Sequence, residues 1–351
     1  MDKEITEAPI FFERNRVFRV YKGGKLFHDF FGDEAEDSNY PEEWIASMVE
    51  AKNKISRAER EGVSRIEGTD IFFDDVARKY PQRLFGPDGR FDVLVKILDS
   101  AVRLPVQAHP DREFSSKYFN SSFGKTEAWL ILATRENAKI YFGFKSRITE
   151  DEFSDIVERA MTEQGIMEQY LNEIPVNSGE VYLIPAKMVH AIGSGCLILE
   201  VQEPTDFTIQ PEKWCGDYEL DDYEMFLGLG KKTALTCFDY NIYGQEAAKM
   251  GKKTPKVLCS DQNAVKEQLV GKEDTPCFAL NRYTVHSGSA KLGGGPAVYV
   301  VTEGRGFVKT FGFEREIKKG DYFFLPYCAK NCIICTDNVI QIAECKSFMK
   351  K

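Results

Sequence analysis

The feature that most constrains the fold of this 351-residue chain is an internal repeat. Residues 178–185, SGEVYLIP, match residues 319–326, KGDYFFLP: a turn glycine is followed by an acidic residue, four strand-like residues and a proline. A second strand-like segment follows each copy, at 196–203 and at 338–345. Such self-similarity predicts two related structural units. Their β-branched and aromatic residues predict that both units are built of strands.

One segment between the two copies has a different periodicity. Residues 149–174 begin with Thr149, which can cap a helix, and continue with acidic residues in the first turn. The apolar residues of the segment then fall at helical spacing: Phe153, Ile156, Val157, Ala160 and Met161. We therefore expect a mainly β protein interrupted by a helical insertion.

Four other segments carry local signals. Residues 17–24 predict a strand closed by a Gly-Gly turn, and residues 41–62 predict a helix that opens at a proline and ends at a glycine. Two strand-like runs at 129–134 and 139–144 flank a short polar link, which indicates a hairpin. Residues 261–271 are compatible with a further helix.

The composition is that of a soluble globular protein, with 43% hydrophobic and 29% charged residues. A net charge of −9 without a dense basic run makes nucleic acid an unexpected partner. The sequence has no apolar stretch long enough to predict a membrane span and no signal-peptide pattern at its start, so we expect no membrane association and a cytoplasmic location. All nine cysteines follow residue 195, which favours reduced thiols over a disulfide framework.

Only four histidines are present, and two of them lie in suggestive contexts. His190 is five residues after the proline of the first repeat, where the second repeat has Asn331. His109 lies in a Gln-x-His-Pro segment, and Gln107 would share its face because strand residues two apart point the same way. Glu127 opens the next strand. Two imidazoles, an amide oxygen and a carboxylate form a set suited to a divalent ion such as Zn²⁺.

The repeat pattern resembles the second motif of the cupin superfamily, whose barrels hold a metal or small ligand. Three longer segments carry a more specific resemblance: 91–111, FDVLVKILDSAVRLPVQAHPD; 123–132, FGKTEAWLIL; and 177–206, NSGEVYLIPAKMVHAIGSGCLILEVQEPTD. Together, and in this order, they resemble the type I mannose-6-phosphate isomerase family. These are zinc-dependent tandem cupins with a helical insertion, and weaker similarity extends over most of the chain.

The resemblance implies a fold and a division of the chain. It implies two jelly-roll β-barrels of cupin type, of which the second lacks metal ligands. Residues 1–230 would form the metal-binding domain, with the helical insertion at about 149–174, and residues 231–351 a degenerate second cupin domain. The family's zinc ligands fall on the four residues already proposed, Gln107, His109, Glu127 and His190.

The resemblance also implies an activity in carbohydrate metabolism. It is the isomerisation of mannose 6-phosphate to fructose 6-phosphate through a cis-enediol, with one zinc ion per chain as cofactor and a small sugar phosphate as partner. Lys125 matches a lysine that precedes the ligand glutamate, and Glu200 and Asp206 match acidic residues of the active-site wall. We take Glu200 as the candidate base and Lys125 as its electrostatic support.

The chain departs from the family pattern at one position. An arginine important for activity follows the Glu200 equivalent by ten residues in the family, and here that residue is Gln210. An amide supplies neither the charge nor the forked geometry of a guanidinium. Lys213 is a nearby cation that can reach the same space, so substrate binding is predicted for Lys125, Asp206, Gln210 and Lys213.

Two other functions are compatible with these residues. A non-catalytic or altered-specificity sugar-binding cupin would retain the metal site, and Gln210 favours this alternative. A cupin oxygenase is disfavoured because the compact His-x-His-x₃₋₄-Glu cluster common there is absent, since seventeen residues separate His109 from Glu127. The oligomeric state stays open.

Overall fold

The computed structural model describes residues 4–348 and is mainly β. The strands are β1 Arg16–Val17, β2 Glu42–Ile45, β3 Leu94–Asp99, β4 Glu127–Thr134, β5 Lys139–Phe144, β6 Leu171–Pro175, β7 Val181–Ile184, β8 His190–Ile192, β9 Cys196–Gln202, β10 Trp214–Cys215, β11 Tyr218–Glu219, β12 Lys252–Lys253, β13 Lys256–Ser260, β14 Ala264–Val270, β15 Phe278–Val285, β16 Gly288–Lys291, β17 Ala297–Thr310, β18 Phe313–Lys318, β19 Tyr322–Leu325, β20 Ile333–Thr336 and β21 Ile340–Ser347. The α-helices are α1 Phe27–Phe31, α2 Phe73–Lys79, α3 Pro81–Phe85, α4 Arg112–Phe119, α5 Glu150–Ala160, α6 Asp222–Phe226, α7 Lys231–Leu235 and α8 Gly244–Met250, and 3₁₀ turns span Glu4–Glu7 and Ile166–Tyr170.

The first large sheet has seven strands in the order β1-β2-β3-β9-β4-β7-β12. Every residue of β3 and β9 is buried, as expected for central strands rich in Leu, Ile and Val. A three-stranded sheet, β6-β5-β8, shares a hydrophobic core with it: Trp129 of β4 and Ile198 of β9 lie in one cluster with Ile140 and Phe142 of β5. The space between these two sheets holds the candidate site.

The second large sheet has the order β13-β14-β15-β21-β17-β20-β16, with β18 and β19 also paired to β17. The repeat supplies β7 to the first large sheet and β19 to the second. The turn glycine of each copy, Gly179 and Gly320, has φ of 89°, a left-handed conformation that favours glycine. The predicted correspondence between the two copies is therefore confirmed in the backbone, while the closure of the sheets into two separate barrels stays a prediction.

The helical insertion is confirmed. Helix α5 begins after Thr149, whose hydroxyl accepts from the Glu152 N–H while the Glu152 carboxylate accepts from the Thr149 N–H. It buries Phe153, Ile156 and Val157, as the spacing predicts. The helix ends at Ala160, however, and the rest of the predicted segment forms a 3₁₀ turn and β6.

Four local predictions fail in part or whole. Residues 17–24 contribute only the end of β1, and the predicted helices at 41–62 and 261–271 are instead β2 followed by a loop, and β14. β2 pairs with β1 and β3, and β14 with β13 and β15, so tertiary pairing overrides the local helical signal. Both strands of the predicted hairpin exist, but β4 pairs with β7 and β9, whereas β5 pairs with β6 and β8.

The division at residue 230 stays a prediction. Strand β12, which follows that position, pairs with β7 and completes the first large sheet. One hydrophobic cluster also joins Val95 and Leu199 of the first sheet to Val298 and Phe324 of the second. All nine cysteines are free thiols, as predicted. None of the helices between residues 4 and 348 is long and apolar enough to cross a membrane.

Candidate metal centre and adjoining cavity

Three side chains from distant parts of the chain converge between the two sheets. Glu127 opens β4, His190 opens β8, and His109 lies in the segment before α4. The Glu127 carboxylate lies 3.1 Å from His109 Nε2 through one oxygen and 3.3 Å from His190 Nε2 through the other. All three residues are buried, and their potential ligand atoms lie within 4.8 Å of one another.

Both imidazoles are oriented by main-chain carbonyls. His109 Nδ1 lies 3.0 Å from the Phe207 carbonyl oxygen, and His190 Nδ1 lies 2.8 Å from that of Met188. Since a carbonyl only accepts, each Nδ1 carries the proton and each Nε2 presents a lone pair. Burial, followed by the nearby Lys125 ammonium, lowers the pKa of His109 to about 3, which keeps this ring neutral. Neutral imidazole is the form that binds metals.

The donor set fits a divalent metal. Glu127 Oε2 and His190 Nε2 have no hydrogen-bond partner within the described part of the chain, although both are buried. Lone pairs facing each other at 3.1 and 3.3 Å repel unless a cation lies between them. Tetrahedral zinc with bonds of 2.0–2.1 Å places neighbouring ligand atoms about 3.3 Å apart. The cluster therefore has the chemistry and the spacing of a metal site.

Gln107 reaches the same region by its backbone. The Gln107 N–H donates to the His190 carbonyl, and the His190 N–H donates to the Gln107 carbonyl, both at 2.9 Å. Gln107 also lines the cavity beside the three-residue cluster. Gln107 therefore lies beside the cluster, and its role as a fourth ligand stays a prediction.

Lys125 is the cation closest to the cluster. Its ammonium donates to His109 Nε2 at 3.0 Å and lies 3.3 Å from Glu127 Oε2. Burial disfavours the Glu127 carboxylate, but the Lys125 ammonium outweighs that effect and holds the pKa of Glu127 well below the usual value. Since a metal would need the same lone pair of His109, Lys125 has to release this nitrogen when a metal binds.

A cavity opens next to this cluster, and Glu200 is one of its walls. Glu200 is 3% exposed, its Oε1 has no hydrogen-bond partner among the described residues, and Lys96 lies 3.5 Å away. Burial raises the pKa of Glu200 to about 7, and the negative charge of Glu127 adds to this effect. A carboxyl group with that pKa can accept and return a proton near neutral pH.

The cavity wall also contains a largely buried ion network that the sequence did not reveal. Arg19 donates to both oxygens of Asp206 at 3.1 Å and lies 3.0 Å from Glu42. Glu42 also accepts from Tyr21 and lies 3.7 Å from Lys96. The position of Lys96 could have been inferred from the sequence. It is the single charged residue inside the apolar run LVKIL, and a charged residue buried in such a strand requires an oppositely charged partner.

The predicted substrate-binding residues divide into two groups. Lys125, Asp206 and Gln210 line the cavity, and Gln210 donates to the Glu224 carbonyl at 2.9 Å. Lys213 is not among the described residues that line it, and its ammonium lies 3.0 Å from Glu219. The structure thus brings Lys125, Asp206 and Gln210 together and leaves Lys213 outside.

The second large sheet has different residues at the corresponding positions. Glu127 pairs with Ile184, the residue before the proline of the first repeat, whereas Ala297 pairs with Leu325, the residue before the proline of the second. Asn331 stands where the first repeat has His190. Neither an alanine methyl nor an amide replaces the ligand chemistry of the first site.

Comparison with known proteins gives relatives with a consistent name. The chain is 28% identical over 331 residues to the mannose-6-phosphate isomerase of Streptococcus mutans, covering 92% of this chain and 94% of the relative. It is 29% identical over 253 residues to the mannose-6-phosphate isomerase ManA of Bacillus subtilis, covering 71% and 74%. No family model matches the chain.

Solved structures share the fold over nearly the whole chain. The mannose 6-phosphate isomerase of Bacillus subtilis superposes with a TM-score of 0.75 at 23% identity, covering 96% of this chain and 99% of that one. A putative mannosephosphate isomerase of Archaeoglobus fulgidus superposes with a TM-score of 0.72 at 16% identity, covering 97% and 98%. At these identities the likeness concerns the fold.

Proposed function

We propose that this protein is a metal-dependent aldose–ketose isomerase that converts mannose 6-phosphate into fructose 6-phosphate. The observation that carries the proposal is the pair of buried atoms His190 Nε2 and Glu127 Oε2, which have no hydrogen-bond partner among the described residues and lie beside a cavity that Glu200 also lines. The name shared by the relatives supports a sugar-phosphate isomerase. A non-catalytic sugar-binding role is not favoured by these comparisons.

The proposed cofactor is one zinc ion per chain, held by His109, Glu127 and His190 with Gln107 as the fourth ligand. Nitrogen and oxygen ligands with a remaining open position are typical of catalytic zinc. When bound, such an ion polarises a carbonyl and an adjacent hydroxyl and stabilises enediolate charge without changing its own redox state. The resemblance to zinc-dependent isomerases and the ligand spacing both support this assignment.

Glu200 is the proposed base. The reaction removes the proton from C2 of the open-chain aldose, passes through an enediol, and delivers a proton to C1 as the C2 hydroxyl becomes a carbonyl. A single carboxylate on one side of the sugar can perform both transfers. The raised pKa of Glu200, about 7, suits this role because the group is basic enough to take the proton and acidic enough to return it.

Lys125 is proposed to stabilise the negative oxygen that develops on the substrate. Its ammonium is buried, lies beside the ligand cluster and lines the cavity. Once it releases His109 Nε2, it keeps its charge next to Glu127, within reach of a substrate oxygen. Asp206 and Gln210 are proposed to contact the sugar hydroxyls, because both line the cavity with polar groups.

The proposal is tested by measuring metal content together with proton exchange at C2. Purified protein is analysed for zinc, iron and manganese, and mannose 6-phosphate is then incubated in D₂O and followed by ¹H NMR. Bound zinc with C2 exchange and ketose formation is expected. Bound zinc without exchange would instead favour a sugar-binding protein, and iron with oxygen uptake would favour an oxygenase.

A further inference from the structure

Among the described residues that line the cavity, one cation has no carboxylate partner. Four of the five cationic residues that line it are paired with acidic groups: Arg19 with Asp206 and Glu42, Lys54 with Asp221, Lys96 with Glu200, and Lys125 with Glu127. The fifth is Lys52, whose ammonium contacts no carboxylate among residues 4–348. An anionic part of a ligand would meet an available positive charge here.

The main chain at Lys52 is anchored to the ion network. The Lys52 N–H donates to Asp206 Oδ2 at 2.8 Å, and Asp206 is itself held by Arg19. The Lys52 ammonium lies 5.6 Å from the centre of the Phe207 ring. Phe207 in turn supplies the carbonyl that orients His109. Phe207 therefore lies between the Lys52 ammonium and the candidate metal ligand His109.

The neighbouring residue adds an unpartnered donor. Asn53 Oδ1 accepts from Arg19 Nη1 at 3.1 Å, which fixes the orientation of the amide. Asn53 Nδ2 is then a buried donor, and it has no hydrogen-bond partner in the described part of the chain. A buried N–H without an acceptor costs free energy, so the site gains when a ligand oxygen supplies one. Asn53 lines the same cavity as Lys52.

We propose that Lys52 and Asn53 bind the phosphate group of the substrate. This inference rests on the proposed function and deepens it, because it assigns the phosphate end of the cavity to the loop between β2 and α2. A phosphate monoester carries nearly two negative charges and three strong acceptor oxygens, which match an ammonium and an amide N–H. Lys213, which the sequence predicts as a substrate-binding residue, is engaged with Glu219 outside the lining residues.

The deciding measurement is the affinity of metal-loaded protein for inorganic phosphate, followed by ³¹P NMR. We expect Lys52→Ala to weaken phosphate binding about 10-fold or more, and Lys52→Arg to restore most of it, because charge-assisted hydrogen bonds are strong. Lys22→Ala removes an exposed lysine outside the cavity lining and serves as the matched control. The proposal is overturned if Lys52→Ala binds phosphate within threefold of the wild-type affinity. It is also overturned if Lys213→Ala loses more phosphate affinity than Lys52→Ala does.

Kinetics provide a second readout where isomerase activity is present. Lys52→Ala should raise KM for mannose 6-phosphate about 10-fold or more while kcat changes little, since no bond to the C6 phosphate forms or breaks during proton transfer between C2 and C1. A fall in kcat at constant KM contradicts the assignment. If the wild-type protein isomerises no sugar phosphate, the proposed function fails, and the phosphate titration still decides whether Lys52 is an anion site.

Discussion

Glu200 and Glu344 occupy the same register position in the two large sheets. Glu200 lies opposite Trp129 between β9 and β4, and Glu344 lies opposite Tyr299 between β21 and β17. Trp129 and Tyr299 in turn lie opposite matching positions of the repeat, in β7 and β19. The repeat thus places one buried carboxyl group at the same point of each sheet.

The two carboxyl groups have different surroundings. Glu344 accepts from the Tyr299 hydroxyl at 2.7 Å, from Asn281 at 2.8 Å and from Lys266 at 3.1 Å. Glu200 Oε1 has no hydrogen-bond partner among residues 4–348. A fully hydrogen-bonded carboxylate serves the packing of its sheet, whereas one with an oxygen that lacks a hydrogen bond, beside a cavity, is available to a substrate.

This difference gives a matched pair of variants. Glu200→Gln should lower kcat about 10²- to 10⁴-fold without loss of metal, because an amide cannot take up the C2 proton. Glu344→Gln should leave kcat per folded molecule unchanged and lower the melting temperature, because the bonded network loses its charge. Rates, metal content and melting curves are measured for both. Equal effects of the two variants on kcat would show that Glu200 has no special role.

The pH dependence of activity should report the same group. A base works in its deprotonated form, so kcat/KM should fall as pH drops through the pKa of Glu200, about 7. A cation bound at Glu127 offsets the negative charge that helps raise the pKa of Glu200. In the metal-loaded enzyme, the midpoint of the fall in kcat/KM should therefore lie below pH 7. The profile is recorded with metal content measured at each pH. A flat profile between pH 5 and 8 with metal retained would contradict the assignment.

Removal of one imidazole should remove the metal. His109→Ala is expected to abolish both bound metal and isomerase activity, because it leaves one imidazole with a carboxylate and a weakly binding amide as the protein ligands. His28 and His286 are exposed, so His28→Ala and His286→Ala are controls that should keep one metal ion per chain. Elemental analysis and circular dichroism separate metal loss from unfolding. A folded His109→Ala protein with full zinc content would falsify the ligand assignment.

The Arg19 network should contribute to stability. Arg19→Met leaves the buried carboxylate of Glu42 and the largely buried one of Asp206 without their main partner, and breaking a buried pair such as Arg19–Glu42 costs about 3–5 kcal/mol. Burial disfavours the Glu42 carboxylate, but Arg19 and Lys96 outweigh it and lower its pKa. The wild-type contribution is therefore present above the unfolded-state pKa and is lost as pH falls. Urea unfolding should show a larger difference in the free energy of unfolding between the wild type and Arg19→Met at pH 7 than at pH 4.

The ligand cluster could be predicted because its signals are local. Gln107 and His109 are two residues apart, and His190 stands at a fixed distance from the proline of the repeat. The helix at 150–160 was equally readable, since its capping residues and apolar spacing lie within one short segment. In both cases, the spacing that determines the structure lies within a short segment, so it can be recognised from the sequence.

Other features depend on partners that are distant along the chain. Residues 41–62 read as a helix, but Glu42–Ile45 form β2 because β1 and β3 offer backbone partners on both sides. Lys52 shows no local sign of lining the cavity, because its position depends on a hydrogen bond to Asp206, 154 residues later. Pairing over such separations is decided by the folded geometry.

The sequence by itself determined the mainly β repeat, the helical insertion and the residues able to hold a metal, because periodicity, capping and ligand chemistry are properties of short segments. Only the tertiary structure decided which strands pair, that Lys213 lies outside the cavity lining, and that Arg19, Lys52 and Lys96 line it. The reason is that charge pairing and burial depend on distances between residues that are far apart along the chain, and these distances are fixed only once the sheets are assembled.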